Sequence, residues 1–482
     1  MVSTLKKNFF HLFSGETASF ISSFLASYFY AFFLGPELFG TWQTARVFIS
    51  YSIIFSLSLP FVLRRDFVML KAEGRNEEAE KLSNLVYTYQ IVTSILFAIG
   101  LVLYAEIKIT DKIFRYTMFT VAGIYVLQTV GGFLNILNKG LNNYKLIRNN
   151  ALIIAILTVL SIIAVYFWGY LAVLFSSLII ALITSVLYFV KRPFKLCLFW
   201  DNKLFKSMFL VAFPLYLQDI SAIIFESVDR LIIAKFLNFK EVGFYSLSSF
   251  IASPVRLLLS SFSLVLFTQL NSQYGFKKDK NVINYHTIIP HQLFSFSLPV
   301  IIGIAVLITP VCVEIFLPKY TEGIGAAQIA IFGIYYYLLA GFCVNGLFVL
   351  NKQKVSAIIF FITGIIKVAL SICFLGYDLG ISGVAVATLI SYLLLDIILL
   401  IVVYRYYDQS KVKLLKYLFK QIYPSLFVGG FCLVYFRFID NILLTIFGLY
   451  RIPLCIIIYI ILFIPVIIYS IRSFRHLLVY SK

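Results

Sequence analysis

The strongest constraint on the fold is a series of about fourteen apolar stretches, each close to twenty residues long. A bilayer core about 30 Å thick is crossed by about 20 apolar helical residues. Because 61% of the residues are hydrophobic and 13% are charged, an ordinary soluble domain is excluded. We predict an all-α integral membrane protein with about 14 transmembrane helices. The predicted spans are 9–34, 43–63, 83–104, 115–137, 151–168, 170–190, 209–235, 243–269, 288–309, 325–350, 355–376, 379–403, 422–444 and 452–471.

The net charge of +19 is concentrated in alternate loops. One set of loops contains most of the lysines and arginines, including the segments 64–81, 139–148, 191–206, 277–280, 411–420 and 472–482. The other set has scattered cations such as Lys108, Lys240 and Lys319. Cytoplasmic loops are enriched in Lys and Arg. We therefore predict that both termini are cytoplasmic and that the positive charge sets the orientation of the helices in the membrane. We predict no nucleic-acid partner.

Cysteine and histidine give no sign of a metal centre. The six cysteines are scattered through the chain, which implies no disulfide framework. His286 and His291 flank a predicted helix start, and a metal site needs more ligands than this pair supplies. We predict that both are solvated interfacial histidines, and we predict no metal site.

The chain contains an internal duplication. Residues 34–42 (Leu-Gly-Pro-Glu-Leu-Phe-Gly-Thr-Trp) correspond without gaps to residues 237–245 (Leu-Asn-Phe-Lys-Glu-Val-Gly-Phe-Tyr). The same register aligns three earlier pairs: Glu16 with Asp219, Ser23 with Glu226, and Ser27 with Arg230. The repeat predicts an N-terminal six-helix bundle at 1–206, a C-terminal six-helix bundle at 207–404, and two additional transmembrane helices at 405–482. We expect the two pseudo-symmetric bundles to surround a central cavity.

Three cations lie within the predicted spans: Arg46, Arg256 and Lys367. A charged side chain inside a membrane usually faces a cavity or an oppositely charged partner, so it is a candidate functional residue. One interpretation is that these cations bind a phosphate or pyrophosphate. The alternative is that they pair with carboxylates on neighbouring helices. We favour the anion site because none of the three has an acidic residue within one turn of its own helix.

Acidic residues mark the helix faces that are expected to point inward. Asp219, Glu226 and Arg230 fall within one narrow arc of a single helix. A polar stripe on an apolar membrane helix is expected to face protein or water. The residues that we predict to line the cavity or to couple transport to an ion gradient are Glu16, Asp219, Glu226, Asp229, Arg230 and Asp396.

Several short motifs occur in a fixed order along the chain: the segment 34–40, Val228-Asp-Arg230 followed by 242–245, and Ile-Phe-Leu-Pro-Lys-Tyr at 315–320. Together with the layout of twelve spans plus two, they resemble polysaccharide flippases of the Wzx type, whose superfamily also contains the MATE exporters and the lipid II flippases. The resemblance implies that oligosaccharide repeat units linked to undecaprenyl pyrophosphate are moved from the cytoplasmic to the outer leaflet by alternating access. It also implies the bacterial cytoplasmic membrane and, as expected partners, a polysaccharide polymerase and glycosyltransferases.

Two other classes of function remain open. A MATE-like exporter shares the architecture, but a cationic substrate would favour a cavity with surplus acid. A membrane polymerase or glycosyltransferase generally needs a sizeable external loop, and no predicted external loop exceeds about twenty residues. No Gly-x-x-x-x-Gly-Lys-Ser/Thr motif is present. We therefore predict a transporter rather than an enzyme, with no cofactor and with H+ or Na+ gradients as candidate energy sources.

Overall fold

The structure, a computed structural model, describes residues 2–277, 284–406, 411–439, 455–466 and 468. Across these residues the regular secondary structure is helical. Among the described residues, eleven helical segments are long and apolar enough to cross a membrane, and one of them, Phe10–Ser56, includes almost all of the first predicted span and most of the second. The described part of the fourteenth predicted span, Cys455–Val466, is also an apolar helix. The predicted fold class is therefore confirmed, and the protein is a multi-pass membrane protein. The basic segments 278–280 and 472–482 lie outside the described residues.

The chain divides into two compact units, Met1–Leu231 and Ile232–Lys482. The division falls inside one helix, Asn202–Phe236. The sequence repeat instead places a boundary before this helix, at 206/207, and a second at 404/405. That three-part division stays a prediction.

The first unit consists of eight helices. They are α1 (Val2–Tyr51), α2 (Ile53–Ser56), α3 (Leu59–Ala72), α4 (Asn76–Lys108), α5 (Lys112–Gly140), α6 (Tyr144–Trp168), α7 (Tyr170–Val190) and most of α8 (Asn202–Phe236). Helix α5 packs against α1, α4 and α7, and α1 also packs along α6. A core of buried apolar side chains from α3, α4, α5 and the start of α8 includes Phe67, Leu85, Phe133 and Ala212.

Helix α1 is interrupted at Gly35. Gly35 has φ 73° and ψ 177°, a backbone conformation that is essentially restricted to glycine. Pro36 follows and starts the next helical segment, where its missing N–H costs nothing. The predicted turn over residues 35–40 is therefore a break at one residue. At the equivalent position of the repeat, Asn238 is extended and its side chain accepts a hydrogen bond from the Glu241 N–H at 2.9 Å.

The second predicted span is also broken. Leu57 and Ser58 have φ values of 50° and 51°, so the chain leaves the helix between α2 and α3. Pro60 stands in the first turn of α3. Unwound backbone at membrane depth is tolerated only where protein or a water-lined cavity satisfies its polar groups. Discontinuous helices of this kind often mark binding sites in transporters.

The second unit continues from α8 to the C-terminal helices. They are α9 (Phe239–Tyr245), α10 (Leu247–Lys277), α11 (Ile289–Phe316), α12 (Ile324–Val349), α13 (Gln353–Gly376), α14 (Gly380–Arg405), α15 (Lys411–Val434) and α16 (Cys455–Val466). A π-helical turn, Asn284–Ile288, precedes α11, and a 3-10 turn, Pro318–Gly323, precedes α12. Helix α12 packs against α10, α11 and α14, and α11 also packs against α15.

Two motifs from the sequence meet at one end of this unit. The Tyr320 ring packs against the Phe244 ring with centroids 6.1 Å apart. A Cβ added at Gly323 would lie 2.9 Å from the Phe244 Cβ, so this approach requires glycine. Lys240 forms an exposed ion pair with Glu322 at 3.3 Å. The motifs at 242–245 and 315–320 therefore contribute to a packed contact between α9 and the turn before α12.

Candidate functional site

Four side chains of the second unit form a continuous row, which we call the cation–tyrosine row: Arg256, Tyr337, Tyr392 and Lys367. The Arg256 guanidinium carbon lies 5.6 Å from the centroid of the Tyr337 ring. The Tyr337 and Tyr392 rings pack with centroids 5.0 Å apart. The Lys367 ammonium lies 5.3 Å from the centroid of the Tyr392 ring. Two of the three predicted cations are thus brought together through two aromatic rings, each of which offers a cation its negative face.

The two ends of the row differ in accessibility. Lys367 is fully buried, at 0% exposure, and Tyr392 is 4% exposed. Arg256 and Tyr337 are half-buried. Helix α13 explains the burial of Lys367, because one face of α13 carries exposed Ile358, Phe361 and Ile365 and the opposite face is packed. Lys367 therefore points into protein rather than lipid, and Arg256 is the cation of the row that a ligand can reach in this conformation.

Arg46, the third predicted cation, belongs to the first unit. It lies on α1 and is exposed. Arg230, on α8, lies close enough to repel it electrostatically, and Tyr30 also interacts with it. Arg46 and Arg230 therefore both contribute positive charge to this part of the first unit. The sequence predicted Arg46 as an anion ligand and Arg230 as a cavity-lining or coupling residue.

The residues of the polar stripe on α8 lie in different environments. Asp219 is half-buried and accepts a hydrogen bond from the Ser58 hydroxyl at 2.7 Å. Glu226 is exposed, Asp229 is buried and Arg230 is half-buried. The Ser58 contact joins the stripe to the broken backbone between α2 and α3. One carboxylate of the stripe therefore stabilises the interruption of the second span.

A cavity of about 530 Å³ opens beside this break, within the first unit. Its polar lining consists of hydroxyl and amide side chains: Ser50, Ser52, Ser56, Gln90, Thr93, Tyr125, Gln128 and Thr129. Gln90 is 7% exposed, and its Oε1 has no hydrogen-bond partner among the described residues. A buried acceptor without a partner costs free energy, so this amide is suited to a ligand hydroxyl or a water molecule.

A second cavity of about 380 Å³ shares Gln128 and Gly132 with the first. Glu16, Lys139 and Arg148 line it, so the predicted residue Glu16 does face a cavity. The Arg148 guanidinium lies 2.9 Å from the Nδ1 of His11. The two neighbouring cavities therefore run from a charged end, which contains two cations, to an end lined by neutral hydroxyl and amide groups.

Asp396 lies in a fully buried polar cluster of the second unit. The Asp396 Oδ1 is 3.0 Å from the Nε2 of His291, and the Nδ1 of His291 is hydrogen-bonded to the Tyr417 hydroxyl. The Gln421 amide donates to Asp396 Oδ2. The prediction of a solvated interfacial His291 is wrong, because His291 is 0% exposed and packs between α14 and α15. His286 is also buried, at 8% exposure.

Comparison with known proteins identifies the family. The family model described as "Polysaccharide biosynthesis protein" matches residues 5–268. The chain belongs to this family. A Shigella flexneri protein described as a candidate O-antigen transporter is 21% identical over 340 residues, which cover 68% of this chain and 80% of the relative.

Solved structures show the same fold. The lipid II flippase MurJ, in an inward closed conformation, superposes with a TM-score of 0.64 and 16% identity, covering 94% of this chain and 98% of MurJ. An inward-facing multidrug resistance MATE transporter of the MOP superfamily superposes with a TM-score of 0.62 and 13% identity, covering 81% of this chain and 94% of that chain. The family match confirms the resemblance to polysaccharide biosynthesis proteins, and these solved structures confirm the fold.

Sequence reasoning missed three features of the site. The tyrosine pair was not predicted because aromatic residues make up 18% of the chain and give no local signal. The cavity with Gln90 and Tyr125 depends on contacts between distant helices. The His291–Asp396 contact joins residues that are 105 positions apart. The sequence did contain one signal for this contact, because ionisable residues such as His and Asp are rare within apolar spans.

Proposed function

We propose that this protein moves oligosaccharide repeat units linked to undecaprenyl pyrophosphate from the cytoplasmic to the outer leaflet of a bacterial cytoplasmic membrane. It acts by alternating access as a transporter rather than an enzyme, and both termini are cytoplasmic. The observation that carries the proposal is the cation–tyrosine row in a member of the polysaccharide biosynthesis family. A half-buried arginine that lies inside a predicted span and packs against an aromatic ring is suited to hold an anionic headgroup.

Arg256 is the proposed phosphate contact. A guanidinium presents a planar fork of N–H donors that matches a phosphate, and it retains its charge inside a membrane. The Tyr337 ring packs against this guanidinium, with the guanidinium carbon 5.6 Å from the ring centroid. Lys367 is buried behind Tyr392, so we assign it the role of positioning the ring pair and of adding long-range positive potential. This assignment replaces the sequence-based expectation of direct contact by Lys367.

The first unit, taken by itself, contains further candidate groups for a lipid-linked glycan. Lys139 and Arg148 line the smaller cavity together with Glu16, and the excess of positive charge suits an anionic group. Gln90, Gln128 and the neighbouring hydroxyl groups line the larger cavity, and neutral donors and acceptors suit sugar hydroxyls. Transfer of a sugar and a pyrophosphate through hydrocarbon without such partners is prohibitively costly. The isoprenoid tail needs no polar path and can remain in the lipid.

The wider setting follows from the substrate. Glycosyltransferases must assemble the lipid-linked repeat unit, and a polymerase is the expected consumer on the other side. We propose H+ or Na+ gradients as the energy source, with no cofactor in the chain. Asp219 and Asp396 are the candidate coupling carboxylates, since each lies inside a predicted span. Asp219 is hydrogen-bonded to Ser58, and Asp396 is hydrogen-bonded to His291.

The proposal is tested by export of surface polysaccharide in cells that carry single substitutions. Arg256→Ala should reduce export by about tenfold or more, because a charge-assisted contact contributes about 1.5–3 kcal/mol. Arg256→Lys should retain an intermediate level, since lysine keeps the charge but loses the fork. Lys240→Ala is the matched control: it also removes one cation, but from an exposed ion pair with Glu322.

The amount of each variant in the membrane is measured alongside export. Export by Arg256→Ala at the level of Lys240→Ala, with equal protein, would reject the assigned role. Export of an organic cation, with no effect on polysaccharide when the gene is deleted, would favour the MATE-like alternative. Formation of longer glycan chains by the purified protein would favour a polymerase.

A further inference from the structure

The buried cluster around Asp396 connects four helices of the second unit. His291 comes from α11, Cys343 from α12, Asp396 from α14, and Tyr417 and Gln421 from α15. His291, Cys343, Asp396 and Gln421 are all 0% exposed. Hydrogen bonds link the Tyr417 hydroxyl to His291 Nδ1, His291 Nε2 to Asp396 Oδ1 at 3.0 Å, and Gln421 Nε2 to Asp396 Oδ2. Phenol, imidazole and carboxylate therefore form one chain.

The charge of this cluster depends on a single proton. If Asp396 is ionised and His291 is neutral, the cluster holds one negative charge inside a membrane protein, which is costly without a compensating cation. Among the described residues, the groups that interact electrostatically with Asp396 across the packed helices include His291, Tyr335, Tyr336, Cys343 and Tyr417. Tyr404 also faces Tyr417. Of these groups, the His291 imidazole alone has one ring nitrogen that can accept a hydrogen bond while the other donates one. One added proton makes the cluster neutral.

We propose that this cluster is the coupling site of the transporter and that its ligand is a proton, carried on Asp396 and exchanged through His291 and Tyr417. The coupling role rests on the proposed function, whereas proton binding does not. The assignment selects H+ over Na+ for the second unit, because a Na+ site needs several oxygen ligands and Asp396 is surrounded by nitrogen donors on both carboxylate oxygens.

The transfer conserves every proton. In the unprotonated cluster, the Tyr417 O–H donates to His291 Nδ1, and His291 Nε2–H donates to the Asp396 carboxylate. On uptake, the Nε2 proton moves to Asp396 Oδ1, the Tyr417 proton moves to Nδ1, and the Tyr417 oxygen takes a new proton from the water side. The product is a neutral carboxylic acid, a neutral imidazole in the other tautomer and an intact phenol. The net change is one proton bound.

The location suits exchange with the cytoplasm and communication with the cation–tyrosine row. His291 and Tyr417 lie near the starts of α11 and α15, at helix ends that carry basic loops in the sequence. Tyr392 precedes Asp396 by four residues on α14, so both lie on one face, one turn apart. Protonation of Asp396 therefore changes the charge one turn away from the ring that contacts both Lys367 and Tyr337.

A metal ion is the competing occupant. One ligand atom each from His291, Cys343 and Asp396 lies within 4.8 Å of the others. Both ring nitrogens of His291 are already engaged, by Asp396 and by Tyr417, so a metal would have to replace one of these hydrogen bonds. The proton requires no such rearrangement. Metal content is therefore an outcome of the test.

The first experiment needs no transport substrate. Full-length protein in lipid is titrated from about pH 8 to pH 5, the range in which histidine networks exchange protons, and infrared difference spectra report protonated carboxylic acid. The wild type should gain one such band, and Asp396→Asn should lack it. Cys343→Ala should keep it, because the relay hydrogen bonds do not involve the thiol. An unchanged band in Asp396→Asn, or bound zinc that is lost in Cys343→Ala, would overturn the proposal.

Tyr417→Phe provides a second variant if Asp396→Asn does not fold. It removes the outer member of the relay but retains Asp396 and His291, so the same carboxylic acid band should form more slowly after a pH jump. An unchanged rate would reject the relay. Both measurements report on proton binding even if the protein transports something other than a glycan lipid.

The second experiment tests coupling in proteoliposomes with a fluorescent lipid-linked oligosaccharide. A pH difference of one unit is a tenfold difference in proton activity, so the wild type should respond by up to about tenfold. Asp396→Asn should move the lipid at a rate that does not depend on the pH difference. Equal dependence in both proteins, or dependence on a Na+ gradient alone, would exclude this site. If the wild type moves no lipid while the infrared band titrates, the proposed function fails and the proton site stands.

Discussion

The cation–tyrosine row makes a sharp prediction about stability, because its two cations differ in burial. Tyr392→Leu removes the ring beneath Lys367 and one partner of the Tyr337 ring. Tyr337→Leu removes the ring beneath Arg256 and the same ring pair. Lys367 is 0% exposed, whereas Arg256 is half-buried. The two substitutions therefore share one lost contact and differ in which cation loses its aromatic partner.

The magnitudes follow from the environments. A cation–π contact contributes about 2 kcal/mol when desolvated and about 0.5–1 kcal/mol when exposed. An aromatic pair adds about 0.5–1.5 kcal/mol. Tyr392→Leu should therefore cost about 2.5–3.5 kcal/mol and Tyr337→Leu about 1–2.5 kcal/mol. For a unit of 150–250 residues, 1 kcal/mol corresponds to about 2–4 °C in Tm. We expect Tyr392→Leu to lower Tm by roughly 5–14 °C.

The assay is thermal unfolding of the purified protein in detergent, followed by fluorescence and by size-exclusion chromatography. Tyr392→Phe is the matched control, since it keeps the ring faces that Lys367 and Tyr337 contact, and it should stay within about 3 °C of the wild type. The reasoning would be refuted if Tyr337→Leu were the more destabilising of the two leucine variants. It would also be refuted if Tyr392→Leu and Tyr392→Phe unfolded at the same temperature.

Three further predictions concern the backbone and the helix contacts. Gly35→Ala should cost about 1–3 kcal/mol, because φ 73° with ψ 177° suits glycine, and a Tm equal to the wild type would contradict this. Ser58→Ala should cost about 1.5–3 kcal/mol through the lost hydrogen bond to Asp219, and a double-mutant cycle with Asp219→Ala should return a coupling energy of that size rather than zero. Gly303→Ala should weaken the packing of α16 against α11, since the new Cβ would meet the Tyr459 side chain. Limited proteolysis should then cut the C-terminal helices faster than in the wild type, and an unchanged rate would contradict this prediction.

The sequence was sufficient to predict the transmembrane architecture. The lipid environment requires long apolar helices, so the spans could be located from composition and length alone. The duplication of 34–42 at 237–245 also corresponds to structure, because Gly35 and Asn238 interrupt their helices at the same point of the repeat. Local signals determine such breaks, since a glycine before a proline and an asparagine cap each act on neighbouring residues.

The remaining features depend on contacts between distant residues. Pro60 is a local signal for a kink in the second span. The position of the break at Leu57 and Ser58 was not predicted, because Asp219, the partner of Ser58, is 161 positions away. The burial of His291 was missed because it depends on contacts with Asp396 and Tyr417, which are 105 and 126 positions away in the sequence. Lys367 was predicted to face a cavity, and its full burial could be seen only from the packing of α13.

Transport by the purified protein tests the central claim most directly. Wild-type protein is reconstituted into liposomes that contain a fluorescent oligosaccharide on polyprenyl pyrophosphate, and a membrane-impermeant quencher is added outside. We expect the wild type to exchange the labelled lipid between leaflets, and Arg256→Ala to do so at least about tenfold more slowly, in keeping with the loss of a charge-assisted contact. Exchange no faster than in protein-free liposomes would contradict the account, as would equal exchange of a labelled lipid that has no phosphate.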